Sequence, residues 1–227
     1  MIVGERKPFE QILAMLAPFK KVLVLGCGGC VTVCLTGGER QADELASQLR
    51  LAAKAKGLSL TVDVDCITRQ CDREFIGNLK ADPAAYDAVL SIACGVGVGY
   101  MTEQFPAVQF LPGLNTTFYG ANTAPGTWEE RCHGCGDCVL DWTGGVCPIS
   151  RCSKSLINGP CGGTSKGKCE VKKDMDCGWY LIFKRLESLG RLDEMKKVRA
   201  IPDHRKDRGQ GVRRLTHQEM LQQEESK

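Results

Sequence analysis

Apolar residues over the first 120 positions fall in short runs separated by amphipathic stretches. Lys21 to Leu25, Leu58 to Val64, Asp87 to Ala93 and Val108 to Leu111 each read as a strand buried on both faces, as strands of a parallel sheet are. Between the first two, Ala42, Leu45, Ala46, Leu49, Ala52 and Ala53 recur at helical spacing from Glu39 to Lys56, and Gly57 supplies the stop. Phe75, Ile76 and Leu79 predict a shorter helix after the second strand, and Gly99 to Phe105 another after the third. This alternation predicts a three-layer α/β domain over residues 1–121, with a Rossmann-like parallel sheet.

The pattern breaks near Asn122. From there to Cys177 the chain is rich in cysteine and glycine and has no sustained apolar period, so an ordinary hydrophobic core cannot organise it. Helical period returns from Trp179 to Leu189, ending at Gly190, and Leu192 to Val198 predicts a second short helix, the two expected to pack over the cysteines. Residues 122–202 therefore form a second, cysteine-rich region closed by C-terminal helices. Residues 203–227 are polar and charged and are expected to be a mobile tail, with Thr216 and Glu219 in a capping-box pattern.

Composition narrows the function. A net charge of +3 in 227 residues, with basic and acidic residues interspersed, predicts no nucleic-acid partner. No segment approaches the roughly 20 apolar residues of a membrane-spanning helix, and the N-terminus lacks a signal-peptide core, so a cytoplasmic location is expected. Thiols stay reduced there, which makes the fourteen cysteines metal or cluster ligands rather than a disulfide framework.

The first six cysteines follow strand ends, where loops of an open α/β sheet converge and ligands bind. Cys27, Cys30 and Cys34 follow the first strand, Cys66 and Cys71 the second, and Cys94 ends the third. Cys27, Cys30, Cys66 and Cys94 are the simplest ligand set, while Cys34 and Cys71 lie a turn deeper and read equally well as buried thiols. The turn Gly26-Cys27-Gly28-Gly29-Cys30 is also a weak match to a dinucleotide fingerprint, with Val31 in place of its third glycine.

The later eight carry a stronger signal. Cys132-x2-Cys135-x2-Cys138 has the spacing of the bacterial ferredoxin tripod, and Cys147-Pro148 resembles its fourth ligand, although eight residues separate Cys138 from Cys147 where the ferredoxin run has three. Cys152, Cys161, Cys169 and Cys177 complete enough thiols for two four-cysteine centres, and structural zinc is the alternative at one of them. His133 reads as a supporting group, Trp128, Trp142 and Trp179 as shields against water, and Arg131, Arg151, Lys154 and Lys168 as charge compensation. With three histidines and no paired carboxylates or nucleophile–base pair, acid–base catalysis has few candidates.

Asn158-Gly159-Pro160-Cys161-Gly162-Gly163, Gly167-Lys168-Cys169-Glu170-Val171 and Cys177-Gly178-Trp179 carry a resemblance. From Gly26 to about Asp203 the chain resembles the methylenetetrahydrofolate reductase C-terminal-domain family, the MetV-type small subunits. The resemblance implies that Cys132, Cys135, Cys138, Cys147, Cys152, Cys161, Cys169 and Cys177 hold two [4Fe–4S] clusters, with a third open on the strand-end thiols. It implies a flavin-containing (FMN) reductase subunit as partner, carrying the folate chemistry, and an upstream donor such as ferredoxin or a larger redox complex. A structural zinc docking module and a stand-alone flavin- or nucleotide-binding enzyme are the competing readings.

Overall fold

A computed structural model of the chain describes residues 1–207 and 211–215. The Thr216–Glu219 capping pattern lies outside them. In chain order the elements are β1 (Ile2–Arg6), α1 (Phe9–Leu16), β2 (Lys21–Cys27), α2 (Cys30–Val33), α3 (Glu39–Ala55), β3 (Thr61–Ile67), α4 (Arg73–Ile76), β4 (Ala88–Ser91), α5 (Gly95–Gln104), β5 (Phe110–Pro112), β6 (Leu114–Ala124), β7 (Thr127–Cys132), α6 (Pro148–Arg151) and α7 (Gly178–Ser188). The described chain divides into two compact units, one ending at Glu130 and the other beginning at Arg131.

The first unit is mixed α/β. Its parallel sheet runs β3-β2-β4-β5, and β2, buried from Val22 to Cys27, lies between β3 and β4. The four expected strands are all present in shifted registers. The second starts at Thr61 rather than Leu58 because Gly57, at φ +65°, ends α3 in a Schellman turn: Leu58 N–H donates to Ala53 O (2.9 Å) and Gly57 N–H to Lys54 O (3.3 Å). At its other end α3 is closed by Gln41, whose Oε1 accepts the Gly38 N–H at 3.1 Å.

Alternation along the strands separates two cores. Val22 and Val24 pack with α1 and with Ala42, Leu45, Ala46 and Leu49 of α3. Leu23 and Leu25 pack on the opposite face with Met101 of α5 and with Phe110. The helices after β2 and β4 thus cover opposite faces, and the strand order reverses between those two strands.

A second sheet, β1-β6-β7, was absent from the sequence expectation. β1 pairs antiparallel with β6, from Ile2 opposite Tyr119 to Arg6 opposite Leu114, with a bulge between Val3 and Gly4. Trp128, on β7, packs against the first unit's α1–α3 core.

The second unit has little apolar interior. Cys177, Trp179, Ile182 and Leu186 make its core, with Val146, Cys152, Leu156 and Met195 partly buried against it. α7 ends one residue before the expected Leu189, in another Schellman turn at Gly190. Residues Leu192–Lys196 form a 3-10 turn where a short helix was expected. A hairpin held by the bridges Ser165 with Lys168 and Lys168 with Asp176 precedes α7. Among the described residues no helix is long and apolar enough to cross a membrane.

Candidate metal centres

All fourteen cysteines are free thiols. Among the described residues, no group of three or more His, Cys, Asp or Glu side chains is arranged to hold a metal ion. The backbone nevertheless brings several cysteine-bearing loops together.

Cys152, Cys161, Cys169 and Cys177 are tied into one neighbourhood. The 165–177 hairpin sets Cys169 and Cys177 on facing arms: Cys169 N–H donates to Met175 O (2.9 Å) and Cys177 N–H to Gly167 O (2.8 Å). Cys169 Sγ lies 3.6 Å from Ser153 Oγ, next in sequence to Cys152. Cys161 Sγ lies 3.3 Å from Glu170 Oε1, next to Cys169, and Lys154 pairs with the same carboxylate. A Cβ on Gly178 would stand 2.6 Å from Arg151 O, so only glycine lets the Cys177 turn meet the Cys152 turn at this distance. Cys152 and Cys177 share the small core under Trp179, whose Nε1–H donates to Leu156 O at 2.9 Å.

At Cys169 the electrostatics favour anionic sulfur. The Cys169 thiol is held below its ordinary value, chiefly by a hydrogen bond to the Lys172 backbone and then by Ser153. Glu170 is likewise lowered, by Lys154 first and Cys161 second. A thiolate is the form that ligates metals. Of the four cations expected to compensate charge, Lys154 is paired with Glu170, and Lys168 with Asp176 at 2.7 Å.

Cys132, Cys135 and Cys138 share a tight loop. Gly134 and Gly136 turn it with φ of +74° and +78°, a conformation that costs side-chain-bearing residues, and Gly134 N–H donates to Cys132 Sγ at 3.4 Å. A cavity of about 310 Å³ opens beside Cys135, lined also by His133, Asp137 and His204 and by Ile149 of α6, the helix that Cys147 precedes. Between Cys147 and Cys152, the Ser150 hydroxyl is buried with no hydrogen-bond partner. An orphaned donor is costly to keep and fits an acceptor bound among these cysteines. Together with eight thiols in a unit of so small a core, it makes this donor set fit a thiolate-held inorganic group.

At the strand ends, Cys27 and Cys94 are buried, Cys30 and Cys66 partly so, and Cys71 exposed. Cys34 is a satisfied core thiol, its Sγ 3.2 Å from Thr36 Oγ1 and near the Val31 and Gly4 carbonyls. The glycines of the Gly26–Cys30 turn serve loop packing: a Cβ on Gly26 would lie 2.9 Å from Cys66 Sγ, and one on Gly28 3.3 Å from Thr68 Cα. Sequence reasoning missed Gln70, a completely buried side chain in this region. A lone glutamine in a polar loop carries no signal of burial.

Free thiols in glycine-turned loops, in a chain that also carries a parallel sheet, define a cysteine-rich mixed α/β protein. Residues 111–205 match the family model described as methylene-tetrahydrofolate reductase C terminal. The resemblance drawn from the Cys161, Cys169 and Cys177 motifs is thereby shown for that segment and associates the chain with this oxidoreductase; the match leaves out residues 26–110, where the resemblance was also read. No curated protein and no solved structure matches the chain.

Proposed function

We propose that the chain is the iron–sulfur electron-transfer subunit of a methylenetetrahydrofolate reductase complex, of the MetV-type. The observation that carries this reading is the concentration of eight thiols, an orphaned buried hydroxyl and almost no apolar core in the segment that matches the reductase family. Cys152, Cys161, Cys169 and Cys177 hold one [4Fe–4S] centre, and Cys132, Cys135, Cys138 and Cys147 the other, in a ferredoxin-like arrangement. A bound cluster supplies one-electron storage at potentials set by its surroundings.

The chain's own residues then have defined tasks. The 165–177 hairpin and the Gly178 contact fix the spacing of the ligand loops, Trp179 and Ile182 keep water from their inner side, and Lys154 and Lys168 offset carboxylates next to ligands. Closure of the thiols on the group is left to side-chain rotation. Clusters held by these cysteines would supply one-electron transfer between a donor such as ferredoxin or a larger redox complex and the FMN of a separate reductase subunit, where 5,10-methylenetetrahydrofolate would be reduced to 5-methyltetrahydrofolate.

Iron, sulfide and zinc analysis of the anaerobically purified full chain tests the proposal. About eight irons and eight sulfides in these two centres are expected, and Cys161→Ser or Cys169→Ser should remove about half. A colourless chain carrying zinc without sulfide defeats it in favour of a structural docking module.

A further inference from the structure

The first unit holds a group of thiols that the second unit's centres do not use. In an open α/β sheet the ligand crevice lies at the carboxyl ends of the two strands between which the order reverses, because the loops leaving them diverge to opposite faces. Here those strands are β2 and β4, and their ends carry Cys27 and Cys94.

Gln70 brings the third loop to the same crevice. Its Nε2–H₂ donates to Leu25 O and Gly26 O, each at 3.0 Å, and its Oε1 accepts from Ser91 Oγ at 2.7 Å. One fully buried side chain thus pins the end of β2, the end of β4 and its own loop, whose next residue is Cys71. Glycines let the three backbones close: a Cβ on Gly97, in α5 just after Cys94, would stand 3.0 Å from the Gln70 Cβ. Gly28 N–H donates to Ile67 O at 2.8 Å, and Cys27 Sγ reaches 4.0 Å from Thr68 O. Cys71 is accordingly near enough to Cys27 and Cys94 to feel both electrostatically. Cys66 also feels Cys27, but its other charged neighbours are the carboxylates Glu39, Asp65 and Asp43 rather than Cys94. It faces a surface recess lined by Glu39, Asp43, Asp65 and Tyr86, on the side of the sheet that α3 covers.

We propose that Cys27, Cys71 and Cys94, with Cys30 two residues past Gly28 as the fourth donor, form a thiolate-bound metal centre separate from those of the second unit. The class of ligand is a thiophilic metal, as an iron–sulfur cluster or as zinc, since both take four thiolates and neither asks for an oxygen or nitrogen donor. Cys71 takes the place that the sequence assigned to Cys66.

The test is metal and sulfide content of the full chain, purified without oxygen and supplied in parallel with ferrous iron plus sulfide or with zinc alone, in the wild type and in Cys71→Ser, Cys94→Ser and Cys66→Ser. Cys71 is exposed, so its serine variant keeps the fold, and far-ultraviolet circular dichroism verifies this. Cys71→Ser and Cys94→Ser should each lose one centre, read as about four irons and four sulfides or about one zinc, while Cys66→Ser retains the wild-type content. Full retention in Cys71→Ser, or an equal loss in Cys66→Ser, overturns the proposal. Failure here is distinct from failure of the electron-transfer reading, because Cys161→Ser and Cys169→Ser report on the second unit alone.

Discussion

Ser150, like Trp128 with its indole N–H in the first unit, has a buried polar group that meets no hydrogen-bond partner. If an inorganic sulfide accepts from it, Ser150→Ala should move one cluster's midpoint potential in the negative direction, since a lost hydrogen bond raises the electron density on sulfur. Potentiometric titration reads the shift. Cys66 offers a second test. Its thiol is pushed up to about 11, by burial first and then by Cys27, Glu39, Asp65 and Asp43. Below that value its thiolate fraction is small, so its alkylation in the metal-free protein should lag a free thiol at neutral pH and rise about tenfold per pH unit. A rate already flat at neutral pH contradicts this environment. At this scale the tight loop over Cys132, Cys135 and Cys138 was legible because its spacing is local in sequence. The placement of Cys71 was not, because it depends on Gln70 reaching carbonyls more than 40 residues away.

Elements were legible where one stretch of chain carries its own periodicity. The α3 stripe is such a case, and Leu45 and Leu49 are fully buried along it. Either one changed to alanine should cost about 2–5 kcal/mol in a urea melt of the first unit. β1 and β6 escaped notice because their pairing joins residues more than 100 positions apart, as Ile2 with Tyr119, and because β6, though 11 residues long, is mostly exposed and has no sustained apolar run. The one local cue was Pro125-Gly126, a turn pair with Gly126 at φ +73° between β6 and β7. Asp87, just ahead of β4, accepts from Lys20 N–H at 2.9 Å and Lys21 N–H at 2.8 Å, tying the starts of β2 and β4. Those backbone bonds, Lys21's first, hold its carboxyl below the usual range. Its contribution is therefore complete above the unfolded value of about 3.9 and is lost as pH falls through the lower folded value. Asp87→Asn should flatten the acid limb of the first unit's stability, measured as the urea midpoint against pH.

Across the whole molecule the two units rest on different physics. The first buries two apolar cores against its sheet and needs no ligand to fold. The second has one small core, and its order is assigned to bound inorganic groups. Withholding iron should leave one cooperative melting transition from the first unit and abolish the second, as followed by calorimetry. The division into an α/β half and a cysteine half was visible in the change of pattern near Asn122. What composition hid is that β6 and β7 carry the first unit's structure on to Glu130. The most direct measurement of the central claim is anaerobic mixing of the dithionite-reduced, desalted chain with the oxidised flavin subunit of a methylenetetrahydrofolate reductase, followed by the flavin's visible absorbance. The account predicts bleaching of the flavin by the iron-loaded chain, and a smaller extent of bleaching by Cys161→Ser or Cys169→Ser chain, which keeps only the other centre. A flavin that stays oxidised with the iron-loaded chain, or bleaches equally with the variants, would contradict it.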